Sequence, residues 1–341
     1  MSKRLKTAVI GCGLIGKRRA EQAVKHEKTQ LDIVVDINLQ NAEQLAVKYN
    51  CKSSASWQPI IDEVDIVIVS TPNALLTNIA VSALEKNKHV LIEKPMGCNF
   101  EEAKLLFNTA KKSKGLFKVG FNHRYHPAIQ LLKTWLNENK IDEIINIRAV
   151  YGHGGRPGYE KEWRGDKSLA GGGELIDQGV HIIDLINWLM GKLPEQVFAL
   201  LQNKVWPIAP LEDNGFALLK YSKNVVACFH TSWTQWKNKF LLEVFGKKGA
   251  IIVEGLGKSY GQETITLYQN KLGGGVPDQQ TIAFPDQDLS WSLEWQDFVD
   301  CILRREPFLN YAQEGLQVMQ TLQALYKSAE LNQMIACNEV L

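Results

Sequence analysis

At 341 residues the chain exceeds what one compact core usually holds, which points to two domains, and its 45% hydrophobic and 22% charged residues describe an ordinary globular protein. Lys plus Arg at 39 against Asp plus Glu at 37 leaves a formal charge of +2, which excludes a charge-driven partner such as nucleic acid or an anionic membrane surface. Six scattered cysteines, Cys12, Cys51, Cys98, Cys228, Cys301 and Cys337, contain no CxxC pair, so neither a zinc site nor a disulfide framework is expected, and a reducing compartment fits. The apolar stretch TAVIGCGLIG follows basic residues as a secretory signal does, but three glycines break it and it runs into KRRAEQ. No apolar run approaches the roughly 20 residues of a membrane span, so a soluble, cytoplasmic protein is expected.

The first predicted element is a strand, Leu5 to Ile10, followed by a glycine turn and a helix. Gly11, Gly13 and Gly16 have the G-x-G-x-x-G spacing: the first permits the tight turn, the second lets a diphosphate approach the backbone, and the third lets helix and strand pack closely. A diphosphate would rest on the positive end of that helix, so Gly11, Gly13, Leu14, Ile15 and Gly16 are expected to line a dinucleotide. The second apolar run, LDIVVD, ends in Asp36, twenty residues beyond Gly16, where a carboxylate binds the adenosine ribose hydroxyls. Asp36 would repel a 2′-phosphate and no Lys or Arg follows it before Lys48, so NAD is favoured over NADP. Lys17, Arg18 and Arg19 are the cations within reach of a phosphate that would argue otherwise.

Strand and helix then alternate: a helix around Asn41 to Tyr49, strand Asp65 to Ser70, a helix from Ala74 to Asn87, strand His89 to Glu93, helix Phe100 to Ser113 and strand Phe117 to Phe121. Near-continuous apolar strands separated by helices predict a parallel sheet covered on both faces, a Rossmann-type domain over residues 1–121. In such sheets ligands lie beyond the carboxyl ends of the strands. Thr71, Pro72 and Asn73 stand there after IVIVS, and Glu93, Lys94 and Pro95 after HVLI. Pro95 fixes the backbone next to Lys94.

From residue 122 the pattern changes to short runs, INIRAVY, QVFALLQN, FALLKYS, VVACFHTSW, FLLEVFG, AIIVEG and TITLYQN, with YSKNVV and FGKKGAII as hairpin tips. These strands, with helices around Ala128 to Asn139, Trp291 to Arg304 and Ala312 to Leu331, give a second domain over residues 122–341. Their apolar runs exceed what those helices can cover, which suggests a homodimer or homotetramer. Between the strands lies GGGELIDQGVHIIDLINWLM, Gly171 to Met190. Helical spacing places Glu174, Asp177, Gln178, His181 and Asp184 on one face and Leu175, Ile176, Ile182, Ile183 and Ile186 opposite. No Lys or Arg occurs in this stretch, whereas solvated faces usually mix signs, so the stripe is a candidate site. The three glycines would let the loop approach a ligand closely.

The sequence resembles the glucose–fructose oxidoreductase, inositol dehydrogenase and rhizopine-catabolism family (Gfo/Idh/MocA) over nearly its whole length, through GCGLIG, STPNALL, HVLIEKP, GFNHRYHPA and GGGELIDQGVHIIDL in that order. The resemblance implies an amino-terminal Rossmann domain, a carboxy-terminal α/β domain with a large, mostly antiparallel sheet, and a catalytic set of Lys94, Asp177 and His181. It implies an NAD-dependent dehydrogenase acting on a secondary alcohol of a sugar, sugar derivative or cyclitol. A non-catalytic sugar sensor and an NAD-assisted glycosidase are the rival functions on this fold. A histidine commonly follows the TPN tripeptide in the family, but TPNALL stands here, which leaves one ribose contact in doubt. Asn73 is expected near the nicotinamide-side ribose, Glu93 is expected to orient Lys94 or that ribose, Asn122 is expected in the cleft at the substrate, and Arg124 and Tyr125 at substrate or cofactor. In the loop Tyr151 to Ser168, Tyr159 and Trp163 would pack on a sugar face and Arg156, Lys161 or Arg164 would meet an anion. His123 and His126 have HxxH spacing without a helix or carboxylate partner, so no metal is expected.

Overall fold

The computed structural model describes residues 4–271, 273–285, 287–305 and 309–340. The first unit begins with β1 (Leu5–Ile10), α1 (Leu14–Lys25), β2 (Thr29–Val35), α2 (Leu39–Tyr49), β3 (Lys52–Ser54) and β4 (Ile66–Val69). It continues through α3 (Asn73–Glu85), β5 (His89–Glu93), α4 (Phe100–Lys112) and β6 (Phe117–Gly120). The six strands pair in parallel in the order β3-β2-β1-β4-β5-β6, so the order reverses at β1 and β4, the switch point at which such sheets bind ligands. Ala8, Val9, Ile66 to Val69 and Val90 to Ile92 are fully buried, as strands covered on both faces require.

The second unit holds α5 (Pro127–Asn137), β7 (Ile144–Gly152), the short α6 (Lys167–Ala170) and a π-helical turn, Leu175–Gly179, that runs directly into α7 (Val180–Met190). There follow β8 (Gln196–Gln202), β9 (Asn214–Lys220), β10 (Val226–Ser232), β11 (Lys239–Gly246), β12 (Gly249–Glu254), β13 (Thr264–Gln269) and β14 (Asp278–Ala283). The chain closes with α8 (Ser290–Arg304), α9 (Leu309–Leu331) and β15 (Ile335–Ala336). The second sheet has nine strands, β14-β13-β12-β11-β7-β10-β9-β8-β15, antiparallel throughout except for the β7–β10 pair. Both expected hairpin tips are present: Lys247 and Lys248 join β11 to β12, and Lys223 and Asn224, both at positive φ, join β9 to β10.

The domain boundaries need one correction. The second domain was expected to run unbroken from 122, but residues 291–319 belong with 1–121, while 122–290 and 320–341 form the other unit. The reason is packing. Trp295, Phe298, Val299, Cys301 and Ile302 of α8 fill one core with Val9, Ala20, Leu31 and Leu45. An amphipathic helix read in isolation does not say which sheet it covers. No helix among the described residues is long and apolar enough to cross a membrane.

Candidate active site

In the glycine turn, Gly11 adopts φ +96°, and a Cβ there would meet the Ser70 carbonyl oxygen at 2.5 Å. A Cβ on Gly16 would meet the Gly11 carbonyl at 1.8 Å, so that glycine is fixed by helix–strand packing, whereas a Cβ on Gly13 would meet nothing within 4 Å. Gly13 therefore leaves its backbone open to a ligand. The first turn of α1 has no acidic residue and Gly13 offers no side-chain cap, so the N–H groups of Leu14 and Ile15 stand at an uncapped positive end. At the end of β4, Ser70 Oγ and Thr71 Oγ1 are buried without a hydrogen-bond partner among the described residues. Open glycine backbone, an uncapped helix and orphaned hydroxyls fit a dinucleotide diphosphate and its flanking ribose.

Asp36 closes this cradle. Its Oδ2 accepts from the Cys12 amide at 2.8 Å and its Oδ1 from the Asn38 amide at 2.9 Å, which fixes the carboxylate and leaves lone pairs for ribose hydroxyls. Burial, and then the charge of Asp36, push the neighbouring Cys12 thiol up to about 12, so that thiol is inert. Ile37 beside Asp36 is fully exposed and no cation lies next to it in the chain. Of the three cations that argued for a phosphate, Arg19 is removed from consideration. It is buried, donating from Nε to Glu93 Oε1 at 2.7 Å and from Nη1 to Glu294 Oε2 at 2.5 Å. Glu93, expected at a ribose, is the partner in that pair.

Lys94 follows Glu93 directly, half-buried at the carboxyl end of β5, and its peptide bond to Pro95 is cis. Beyond it the chain is fixed by Glu102 of α4, whose Oε2 accepts from the Cys98 amide at 3.0 Å and from Thr77 Oγ1 at 2.8 Å. Lys94 is thus held between a buried strand and a tied turn. Pro72 precedes α3 as its N-cap, and Asn73, its first residue, is buried.

In the second unit the acidic stripe is inside the protein. Glu174, Asp177, His181 and Asp184 are all less than 9% exposed, because α7 is enclosed on every side. The turn Leu175–Gly179 is π-helical, a feature frequent at functional sites that spacing by 3.6 residues does not reveal. The glycines before it have a reason other than ligand approach. A Cβ on Gly172 would meet the Tyr326 hydroxyl at 2.2 Å, and one on Gly173 would meet the Glu212 carbonyl at 2.2 Å. Glu212 Oε1 accepts from the Gly173 and Leu175 amides and from the Tyr326 hydroxyl, at 3.1, 3.0 and 2.7 Å, and so caps the helix start.

His181 stacks on His123 at 3.8 Å between ring centroids and 20° between planes, and Tyr151 meets both edge-on, at 6.1 and 5.1 Å. Asp177 Oδ2 accepts from Arg164 Nε at 3.2 Å and from Gln178 Nε2 at 3.3 Å. Asn122 is buried and donates to Ser290 Oγ at 2.9 Å, and its Oδ1 lies 3.3 Å from His123 Nδ1. His126 has a carboxylate partner that its spacing did not reveal, Glu263, whose Oε2 lies 2.9 Å from Nδ1.

Two expected substrate contacts are corrected. Arg124 is committed to Asp184 through two bonds of 2.7 and 2.5 Å, both ends buried, so it fastens the chain to α7. Tyr159 is 2% exposed and packs on Trp233 and Trp206, with ring centroids 4.8 and 5.9 Å away, as the anchor of its own loop. Trp163 remains half-buried beneath the Arg164 guanidinium, 4.4 Å from its ring centroid. The sequence did not single out Tyr151 or Tyr260 as site residues. Alternation along β7 places Tyr151 inward with Ile147 and Ala149, a usable signal, whereas the glycine-rich loop bearing Tyr260 carries none.

Comparison with known proteins bears on the family and the fold. A family model described as an oxidoreductase family with an NAD-binding Rossmann fold matches residues 5–121, and one described as a GFO/IDH/MocA C-terminal domain matches residues 129–252. The glucose-6-phosphate 3-dehydrogenase of Bacillus subtilis is 34% identical over 250 residues, 72% of this chain and 68% of that protein. The levoglucosan dehydrogenase of Pseudarthrobacter phenanthrenivorans is 34% identical over 188 residues, and that match spans 54% of this chain and about half, 48%, of that protein. A solved levoglucosan dehydrogenase in complex with NADH superimposes with a TM-score of 0.87, covering 98% of this chain and 99% of that one; at 23% identity it speaks for the fold.

Proposed function

Because this chain belongs to the Gfo/Idh/MocA family of NAD-binding oxidoreductases, we propose that it is an NAD-dependent dehydrogenase oxidising a secondary alcohol of a sugar, sugar derivative or cyclitol. The observation that carries this is the buried His181, set one turn after Asp177 and packed among His123 and Tyr151. NAD bound at the glycine turn supplies the hydride acceptor. Oxidation also requires removal of the hydroxyl proton, and His181 takes it as general base. Asp177, held by Arg164, favours the imidazolium that results. Lys94 hydrogen-bonds the reacting oxygen and stabilises negative charge developing there. Residues 122–290 with 320–341 form the substrate domain and Asn122 and Trp163 line it.

The test is a screen of sugars, sugar phosphates, uronates, nucleotide sugars and inositols with NAD, read as NADH absorbance. Turnover of at least one class is expected, with NADH released free. No turnover across the panel, in a preparation that binds NAD, would end the proposal.

The cofactor preference has its own test. Wild-type protein should bind NAD more tightly than NADP in calorimetric titration, and Asp36→Ser should narrow the gap by weakening NAD. Tighter NADP binding by the wild type would refute the role given to Asp36.

We also propose that the chain acts as a homodimer or homotetramer through the open face of the nine-stranded sheet. Leu200, Phe216, Leu218 and Val226 each keep at least 40% of their surface exposed, and the first three line a hollow of about 440 Å³. Light scattering at micromolar concentration should give a multiple of 38.4 kDa, and Leu218→Arg should shift it toward the single chain. A wild-type monomer would exclude this interface.

A further inference from the structure

Between β12 and β13 the chain runs Gly255-Leu256-Gly257-Lys258-Ser259-Tyr260-Gly261. Gly255, Gly257, Lys258 and Gly261 all have positive φ, at 71°, 50°, 67° and 96°, so the segment doubles back tightly. Lys258 and Gly261 close it as a β-bridge, and Asn238 Nδ2 ties it to the β10–β11 connection through the Ser259 carbonyl at 3.0 Å. The loop therefore presents Tyr260 in a fixed place. Its ring lies on that of Tyr151, with centroids 5.0 Å apart and planes at 41°, and Tyr151 in turn touches both imidazoles of the His123–His181 stack. The buried Tyr151 and the half-exposed Tyr260 interact through their hydroxyls, and either can be the donor. Tyr260 thus presents a hydroxyl on a half-exposed side chain that adjoins Tyr151, the ring that touches the candidate base. Burial first, and then the charges of Asp177 and Glu174, push its hydroxyl up to about 12, so it stays a donor at any working pH.

We propose that Tyr260 is a substrate-contacting residue that donates a hydrogen bond to a second hydroxyl of a polyol, distinct from the one His181 deprotonates. Tyr260 contacts the Tyr151 ring and Tyr151 contacts the His181 ring, so the hydroxyl met by Tyr260 is assigned to a different carbon from the one oxidised. The inference rests on the dehydrogenase reading and narrows it: the substrate carries at least two hydroxyls, and a simple secondary alcohol is a poor one.

The test uses the full chain with NAD and levoglucosan, D-glucose and myo-inositol, together with their deoxy analogues. Tyr260→Phe should raise KM about tenfold on the best of these, the scale of one lost hydrogen bond, with kcat within about threefold. That penalty should vanish on the deoxy analogue lacking the contacted hydroxyl. Tyr151→Phe, which keeps both rings and frees the Tyr260 oxygen, should show a smaller KM effect, and calorimetric binding of the same sugar should follow the same order. An unchanged KM in Tyr260→Phe, or a penalty equal on every deoxy analogue, would overturn the assignment. If the wild type turns over none of these probes or the wider panel, the dehydrogenase reading fails and takes this one with it. Wild-type turnover with an unchanged Tyr260→Phe enzyme removes Tyr260 alone.

Discussion

Lys94→Ala should lower kcat by about 10² to 10³ while leaving NAD affinity within about tenfold, the pattern expected when a charge that acts on the reacting oxygen is removed. The structure favours a loss of this size over partial compensation. Lys94 stands between the buried end of β5 and a turn tied by Glu102 to Cys98 and Thr77, which holds its backbone in place. Arg19, close by in the same unit, is bound to Glu93 and Glu294. Lys94→Arg keeps the charge but changes a compact ammonium for a planar fork on a longer stem, and should recover only part of the rate. Stopped-flow NADH absorbance with a saturating substrate separates kcat from KM, and calorimetry gives the NAD affinity. Near-normal turnover in a folded Lys94→Ala protein would remove Lys94 from the chemistry. A parallel collapse of NAD binding would make it a cofactor ligand instead.

How much of this was legible in the sequence depends on the range of the forces involved. The glycine turn, Asp36 and the β-strand ends were readable because their signals are local: residue spacing, backbone freedom and apolar runs. The strands of the second half were readable for the same reason, and so were the hairpin tips at Lys223–Asn224 and Lys247–Lys248. What was not readable is what depends on partners distant in sequence. Arg124 has its partner 60 residues away in Asp184, and Arg19 has one of its two 275 residues away in Glu294. No spacing rule announces either pair, so in the sequence each reads as a cation within reach of a ligand. Gly172 and Gly173 were assigned to ligand approach because Tyr326 and Glu212, the groups that exclude a side chain there, lie far along the chain. Tyr159 was expected to face substrate and is instead held between tryptophans from two later connections. The same limit hid Tyr260, which matters only through Tyr151 and the histidine pair.

His181→Asn carries the second large effect. As a general base the imidazole must be neutral, so kcat/KM for oxidation should rise with pH through one ionisation and level off once the proton is gone. His181 lies in a stack with His123 at 3.8 Å, with Asp177 and Glu174, both buried, preceding it in the chain. Asparagine keeps the shape and some hydrogen bonding but cannot accept the proton, so the rate should fall by roughly 10² to 10⁴ and the rising limb should disappear. His123→Asn provides the control: it leaves the base in place, so the rising limb should persist. A histidine that merely fills the core would behave otherwise. Its replacement would lower stability in a thermal melt while the enzyme that remained folded kept both its rate and its pH profile. That outcome for His181→Asn would remove the base from the proposed mechanism.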